Sequence, residues 1–236
     1  IMCPAHGPGS VCGAAISDRE WTTLGIERRH NPRLRHRDKA DFIKTGTILE
    51  RSPYFRRMEQ LNVEGPRVLH GVPSISPLNP AEFEKAVSQG AVVLDARTEL
   101  EYGSSHIPGA VFVADYAVPV YAGWFLPYDK PILLVADIAE TDSLIRKLLR
   151  IGYDNVAGIL GQGMPAWQMA GKTVANIAMP QASAVCETLK SGDDDIFLLD
   201  VRKPKEIKNG KALPGAVNID LTQLNERAGE LPRDKE

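Results

Sequence analysis

Two short stretches decide the fold, because each of them occurs twice in the sequence. Val93–Arg97 (VLDAR) recurs 105 residues later as Leu198–Arg202 (LLDVR). His106–Val111 (HIPGAV) recurs 106 residues later as Ala212–Val217 (ALPGAV). Agreement in both residue identity and spacing predicts two tandem copies of one fold. The second copy reaches Glu236 before the counterpart of the first copy's next strand, so it is expected to be incomplete.

The pattern around the first repeat predicts an α/β fold. Apolar runs at 91–95, 132–135 and 155–160 are typical of strands that are buried on both faces. Asn79–Val87 has the start signal of a capped helix, and 143–150 has helical spacing. Strands that alternate with helices indicate a parallel sheet flanked by helices.

The first 68 residues have a different character. The charged segments 18–30 and 38–50 have helical spacing, and a further helix is predicted after Ser52-Pro53, ending at Gly65-Pro66. Such a mostly helical piece cannot supply a large core of its own. Residues 69–78 are rich in Pro, Ser and Gly, which is typical of a linker. The predicted organisation is therefore 1–68, a linker at 69–78, a first copy at 79–175 and a second copy at 176–236.

Composition excludes several classes of function. Apolar residues make up 43% and charged residues 25% of the chain, as in globular proteins. A net charge of -2 argues against a nucleic-acid partner, and no apolar run is long enough for a membrane helix. Three scattered cysteines argue against a disulfide framework and favour a reducing compartment, so the cytoplasm is expected.

The first copy resembles rhodanese domains. The resemblance covers residues 79–171, and its carriers are Asp95, Arg97, Glu101, His106, Pro108, Gly109, Gly152, Tyr153, Gly161, Gly163 and Trp167. In that family a cysteine follows the central strand, in a loop whose backbone N–H groups stabilise a thiolate or persulfide. This chain has Ala136 at that position, and the loop 136–142 contains three carboxylates but no cysteine, lysine or histidine. The resemblance therefore implies a catalytically silent domain, kept for packing or for docking in dimer or interdomain contacts.

Other polar residues of the motif are expected to be structural. Thr141 and Asp142 are expected to cap the helix that starts near Ser143. His106 and the pairs Asp95–Arg97 and Asp200–Arg202 are expected to hold loops against the sheet through charge-assisted hydrogen bonds.

The second copy resembles the same family through Asp200, Arg202, Pro214 and Gly215. Its cysteine-bearing loop would follow Glu236, so the sequence leaves its activity open. Cys186 does not take the nucleophile's place, because it is predicted to lie on a helix before the strand at 196–200, as a buried apolar residue.

The N-terminal piece resembles the end of a metallo-β-lactamase αββα fold of the kind fused to rhodaneses in persulfide dioxygenases. The carriers are Pro4–Gly13, Gly25–Asn31 and Tyr54–Pro66. The resemblance assigns His6 as the last metal ligand of that fold. The family's upstream His-x-His-x-Asp-His run does not occur in these 236 residues, so they should hold a metal weakly or not at all. Cys12 is a candidate thiol near a metal-bound persulfide, and a packed or exposed thiol is the alternative.

For the intact parent protein, the resemblance implies a mononuclear Fe(II) centre that converts a low-molecular-weight thiol persulfide and oxygen into sulfite and the free thiol. A rhodanese would then move sulfane sulfur between sulfite or thiosulfate and the thiol. Two alternatives stay open: a zinc-dependent hydrolase acting on a thioester, or a non-catalytic scaffold within a homo-oligomer or between domains.

Overall fold

The computed structural model describes residues 1–4, 19–36, 38–44, 51–191, 196–210 and 212–233. The chain divides into two compact units, Ile1–Glu50 and Arg51–Glu236. The helix predicted at the end of the N-terminal piece therefore belongs to the second unit, although the sequence placed it in the first domain. Among the helices in these described ranges, none is long and apolar enough to cross a membrane.

The first unit contains short helices. Helix α1 spans Leu24–His30 and starts at Thr23, whose side chain accepts a hydrogen bond from the backbone N–H of Ile26. A 3-10 turn at Pro32–Arg35 and helix α2 at Lys39–Lys44 follow. The predicted helices at 18–30 and 38–50 are present but shorter in the described residues. None of these three elements contains a buried residue.

The second unit opens with helix α3 at Tyr54–Glu64. It ends where the sequence predicted, because Gly65 adopts a left-handed backbone conformation with a φ of 86°. None of its side chains is fully buried.

A five-stranded parallel sheet forms the centre of the second unit and confirms the predicted α/β class. Its order is β1-β5-β4-β2-β3. The strands are β1 Pro77–Leu78, β2 Val92–Asp95, β3 Val111–Phe112, β4 Ile132–Val135 and β5 Val156–Leu160. Strand β1 lies within the segment interpreted as a linker and pairs with β5. Pro77 is tolerated there because an edge strand needs fewer backbone donors.

Five helices flank this sheet. They are α4 Pro80–Ser88, α5 Glu99–Ser104, α6 Val118–Phe125, α7 Thr141–Arg150 and α8 Gly163–Met169. Helix α4 has the predicted cap: the side chain of Asn79 accepts from the backbone of Glu82, and the Glu82 carboxylate accepts from the backbone of Asn79. This reciprocal pair satisfies two donors that a helix start leaves open.

The core lies on both faces of β4. Successive side chains of a strand point to opposite faces, so Ile132 and Leu134 join one apolar cluster while Leu133 and Val135 join the other. The first cluster includes residues of α6 and α7, and the second includes Phe83 of α4 and Trp167 of α8. The sheet is therefore a middle layer between two layers of helices.

Tyr153 links α6 to the loop that follows α7. Its ring stacks on Tyr128 with centroids 4.2 Å apart, and its hydroxyl donates to the carbonyl oxygen of Leu126 at 2.7 Å. Burial raises the pKa of Tyr153 well above the usual tyrosine value, because the ionised form would be desolvated.

The second copy is present as a small parallel sheet. Strands β6 Leu199–Asp200 and β7 Val217–Asn218 pair with Leu199 opposite Val217. The equivalent strands of the first copy pair in the same register, with Leu94 opposite Val111. The helices of this part are α9 Ala182–Ser191, α10 Pro204–Asn209 and α11 Leu224–Arg227.

Cys186 corrects one expectation. It lies on α9, as predicted, but its thiol is exposed and not buried. The reason is that the two-stranded sheet offers too small an apolar face to cover this helix. The strand predicted at 196–200 is likewise shorter in the structure and comprises Leu199–Asp200.

We expect Tyr153→Phe to lower the free energy of unfolding by about 1–2 kcal/mol, because the Leu126 carbonyl loses a buried partner. The raised pKa means that unfolded Tyr153 releases its proton at a lower pH than the folded residue does. Its contribution is therefore complete below the usual tyrosine pKa of about 10 and declines as the pH rises above it. Urea unfolding at neutral and alkaline pH measures both effects. An unchanged stability with an unchanged alkaline decline would contradict this role.

Candidate functional site

A cleft of about 760 Å³ opens at the carboxyl ends of β2, β4 and β5. Open parallel sheets bind ligands at this edge. Three segments converge there, each directly after a strand: 96–101 after β2, 136–140 after β4 and 162–165 after β5. The other lining residues are Ala114, Asp115, Tyr116 and Leu144.

Ala136 lies directly after β4 and lines this cleft. Asp137 and a 3-10 turn at Ile138–Glu140 follow, and α7 begins at Thr141. The strand, tight turn and helix that the sequence predicted are therefore present. A methyl group stands where the resemblance places a sulfur nucleophile.

The loop satisfies one of its own backbone donors with a side chain. Oδ1 of Asp137 accepts a hydrogen bond from the backbone N–H of Ala139 at 2.9 Å. The hydroxyl of Thr141 donates to the carbonyl oxygen of Asp137 at 3.1 Å. A carboxylate thus takes up a donor that an anionic ligand would otherwise use.

The side-chain cap predicted for Thr141 and Asp142 is wrong, although Asp142 does lie in the first turn of α7, where a negative charge favours the helix dipole. No side chain caps the start of α7, and Asp142 instead accepts from Nε of Arg146 at 2.8 Å. The cause is that α7 begins two residues earlier than predicted, so that Thr141 and Asp142 are already inside its first turn.

The lining of the cleft is acidic. Within the described residues its carboxylates are Glu99, Glu101, Asp115, Asp137 and Glu140, against one cationic side chain, Arg97. Tyr116 donates to Glu99 at 2.7 Å and thereby lowers the pKa of that carboxyl. Hydrogen bonds from Thr98 likewise lower the pKa of Glu101. Asp115 is paired with Lys147 and Arg97 with Asp95, so Glu99, Glu101, Asp137 and Glu140 give the cleft wall its negative charge, which disfavours anions.

Arg97 is held by its own strand end. Its Nε and Nη2 donate to the two oxygens of Asp95 at 2.9 and 2.6 Å, and Nη2 also donates to the carbonyl oxygen of Ser105 at 2.8 Å. The side chain of Asp95 is 0% exposed and that of Arg97 13% exposed. The pair joins the end of β2 to the residue after α5.

The second copy repeats this ion pair. Arg202 donates to Asp200 through Nε at 3.0 Å and through Nη2 at 2.6 Å. These hydrogen bonds lower the pKa of Asp200. The second pair is more open, with side-chain exposures of 9% for Asp200 and 41% for Arg202.

His106 lies in the scaffold and does not line the cleft. Its ring stacks on Tyr102 at 3.9 Å, and Nδ1 lies 2.9 Å from the Tyr102 carbonyl oxygen. Its backbone N–H and carbonyl pair with Ala175, on the segment that leads to the second copy. His106 thus connects α5 to the segment around Ala175 that leads to the second copy.

Sequence reasoning missed most of the cleft wall. Gln162 lines it with a left-handed φ of 58°, which is unusual for a residue other than glycine. The signal was available in Gly161-Gln162-Gly163, since flanking glycines favour such a turn. No local sequence pattern predicted that Asp115 and Tyr116 line the cleft, because only the folded sheet brings them next to 136–140.

His6 and Cys12 lie outside the described residues. Among the described ranges, no group of three or more His, Cys, Asp or Glu side chains is arranged to hold a metal ion.

Comparison with known proteins agrees with this geometry. Residues 79–170 match the family model for the rhodanese-like domain. Residues 79–170 thus match a rhodanese-like domain, and they include strands β2 to β5 but not the edge strand β1. A search of curated proteins gave no match.

Solved structures extend the similarity beyond this domain. A metallo-beta-lactamase from Staphylococcus aureus is 28% identical over 65% of this chain, with a TM-score of 0.52. This chain covers 42% of that protein, so it spans less than half of its length. A thiosulfate sulfurtransferase from Pseudomonas aeruginosa is 20% identical over 76% of this chain and 38% of its own, with a TM-score of 0.38. The sulfotransferase SseA from Escherichia coli is 19% identical over 69% and 78%, with a TM-score of 0.34.

We expect Arg97→Ala to destabilise the domain by about 3–5 kcal/mol, because Asp95 would be left as a buried charge without its partner. The matched variant Arg202→Ala removes the equivalent contact in a more exposed place and should cost clearly less. Urea unfolding of both variants tests the difference. Equal costs would show that burial does not set the strength of these pairs.

Proposed function

We propose that the rhodanese-like domain at 79–170 is non-catalytic, and that it belongs to a fusion enzyme of sulfur metabolism. The observation that carries the proposal is Ala136 at the mouth of the cleft, where sulfur transfer requires a thiolate. The fusion combines a non-haem iron persulfide dioxygenase of the metallo-β-lactamase fold with rhodanese sulfurtransferase activity.

The electrostatics of the cleft support the silent role. Thiosulfate and sulfite are anions, and both would meet the carboxylates of Glu99, Asp137 and Glu140 at the cleft wall. The N–H of Ala139 is already bonded to Asp137. The cleft lacks the nucleophile and also disfavours the donor, so two independent requirements of the reaction are missing.

The metal-dependent part of the proposal comes from the N-terminal piece. His6 is the candidate ligand, and Fe(II) is the metal implied by the resemblance to persulfide dioxygenases. The similarity to the S. aureus metallo-beta-lactamase supports a segment of that fold. A bound iron would supply redox chemistry toward a low-molecular-weight thiol persulfide and oxygen. Cys12 would lie six residues past the ligand along the chain.

The alternative for that piece is a zinc-dependent hydrolase acting on a thioester. The metallo-β-lactamase similarity favours neither chemistry, because one fold hosts many reactions. Metal identity separates the two.

We expect the 236-residue chain to show only background thiosulfate:cyanide sulfurtransferase activity, because neither Ala136 nor the surrounding loop can carry a persulfide. Thiocyanate formation measures it. Turnover above the buffer blank would contradict the assignment of a non-catalytic domain.

The variant Ala136→Cys serves as the matched control for this assay. It restores the sulfur but keeps the acidic lining, so its thiol should react slowly with thiosulfate. The double variant Ala136→Cys/Asp137→Ser frees the Ala139 N–H and removes one charge, and it should react faster. A rapid reaction of the single variant would show that the carboxylates do not repel the donor.

A further test concerns the metal of the intact parent protein. We expect it to bind iron and to consume oxygen with a thiol persulfide. His6→Ala should lower metal content at least about tenfold, since even the loss of an outer partner costs that much. His30→Ala, on an exposed position of α1, is the control. Zinc binding with thioester hydrolysis and no oxygen uptake would favour the alternative.

A further inference from the structure

Helix α6 is an uncharged helix that contacts other elements at two adjacent residues. Its sequence from Val118 to Phe125 is VPVYAGWF. Val118 and Ala122 are buried in the sheet's core cluster. The two following residues, Gly123 and Trp124, contact α3 and α11, which flank the rhodanese-like domain in the chain.

Gly123 gives α6 a surface without a side chain, a seat, on which the start of α3 packs. A Cβ atom at this position would lie 3.3 Å from the backbone nitrogen of Tyr54 and 3.5 Å from its Cβ. The distance to the backbone nitrogen is tight and involves an atom that cannot rotate away, whereas the distance to Cβ is an ordinary van der Waals contact. The absence of a side chain at Gly123 therefore lets the start of α3 lie directly on α6. The Tyr54 side chain then packs against the core cluster of the domain.

A second glycine extends the seat to the end of α7. Gly152 has a φ of 88°, and a Cβ there would lie 2.7 Å from Cγ of Arg57 and 3.0 Å from Cε of Met58. The Arg57 guanidinium carbon lies 6.0 Å from the ring centre of Tyr128, within the range of a cation–π contact. Helix α3 is thus held along more than one turn.

The contact with α11 uses the next residue of α6. Nδ2 of Asn225 donates to the carbonyl oxygen of Trp124 at 3.0 Å. The last carbonyls of a helix have no partner within the helix, so a donor from outside satisfies one of them. Asn225 belongs to the second copy, 101 residues further along the chain.

Helix α3 depends on this seat for its stability. An isolated helix of its length is marginal in water, and none of its side chains is fully buried. It also directly follows the first compact unit, which ends at Glu50. A helix that is held on the rhodanese-like domain therefore fixes the chain at the start of the second unit.

We infer that helix α6 is a common seat for the two flanking segments, and that holding α3 and α11 is the positive role of the silent rhodanese-like domain. The inference deepens the proposed non-catalytic function by naming the surface and its two occupants. Loss of the thiolate leaves this role intact, because neither Gly123 nor Trp124 lines the cleft.

Hydrogen–deuterium exchange on the 236-residue chain tests the inference. Gly123→Ala raises the helix propensity of α6 but crowds Tyr54. We expect amides of α3 to exchange about tenfold faster or more, while amides of β4 keep their protection. Gly25→Ala in α1 is the matched control, because its Cβ would meet only the Thr23 hydroxyl at 3.9 Å. Unchanged or slower exchange in α3 would overturn the seat.

A second pair of variants keeps the test valid if Gly123→Ala does not fold. Tyr54→Ala should release α3, whereas Val63→Ala, at a residue that is 87% exposed on the same helix, should not. For the other occupant, Asn225→Ala should raise exchange in α11 and Glu226→Ala should leave it unchanged. Equal exchange within either pair refutes that contact. Sulfurtransferase turnover with a released α3 would refute the non-catalytic role and leave the seat standing.

Discussion

The burial of strand β4 on both faces is the constraint on which the rest of the structure depends. Ile132–Val135 are each at most 1% exposed, because helices cover the sheet on both sides. A strand that is buried on both faces favours apolar residues along its whole length. The polar residues that follow it in sequence therefore begin at its carboxyl end. Ala136 and the acidic turn lie there for this reason, and the cleft forms where β2 and β5 end beside it. The geometry of this cleft is thus set by packing, independently of whether the cleft performs chemistry.

Much of this fold could be predicted from sequence because its strongest signals are local. The apolar runs gave β2, β4 and β5, the Asn79-Pro80 start gave α4, and Gly65 gave the end of α3. The failures share one physical cause: they depend on which residues the fold brings together. Asp142 was expected to cap α7, but the helix begins earlier and pairs it with Arg146. Cys186 was expected in a core, yet its helix has little sheet to cover it. The contribution of Asp115 and Tyr116 to the cleft arises only through long-range contacts.

The ion pairs of the two copies have a structural task that does not depend on catalysis. Asp95–Arg97 and Asp200–Arg202 have nearly the same geometry, although the first copy has no nucleophile. Their shared task is to close the turn after a strand, since the arginine in each pair bonds the aspartate two residues before it. The differing exposure of the two pairs reflects the extent of the sheet around them: five strands surround the first and two surround the second. Holding α3 and α11 is likewise independent of chemistry in the cleft.

The matching register of β2–β3 and β6–β7 has a consequence for how the chain folds. During synthesis each of these strands can meet two possible pairing partners with related sequences. Tandem repeats of this kind are prone to mispairing. One position breaks the symmetry. Asn218 donates through its side chain to the carbonyl oxygens of Asp200 and Arg202, whereas its counterpart Phe112 stacks on Tyr102. A pairing of β3 with β6 would separate Phe112 from Tyr102, because the position equivalent to Tyr102 in the second copy is Ile207. The aromatic contact therefore favours the pairing of β3 with β2.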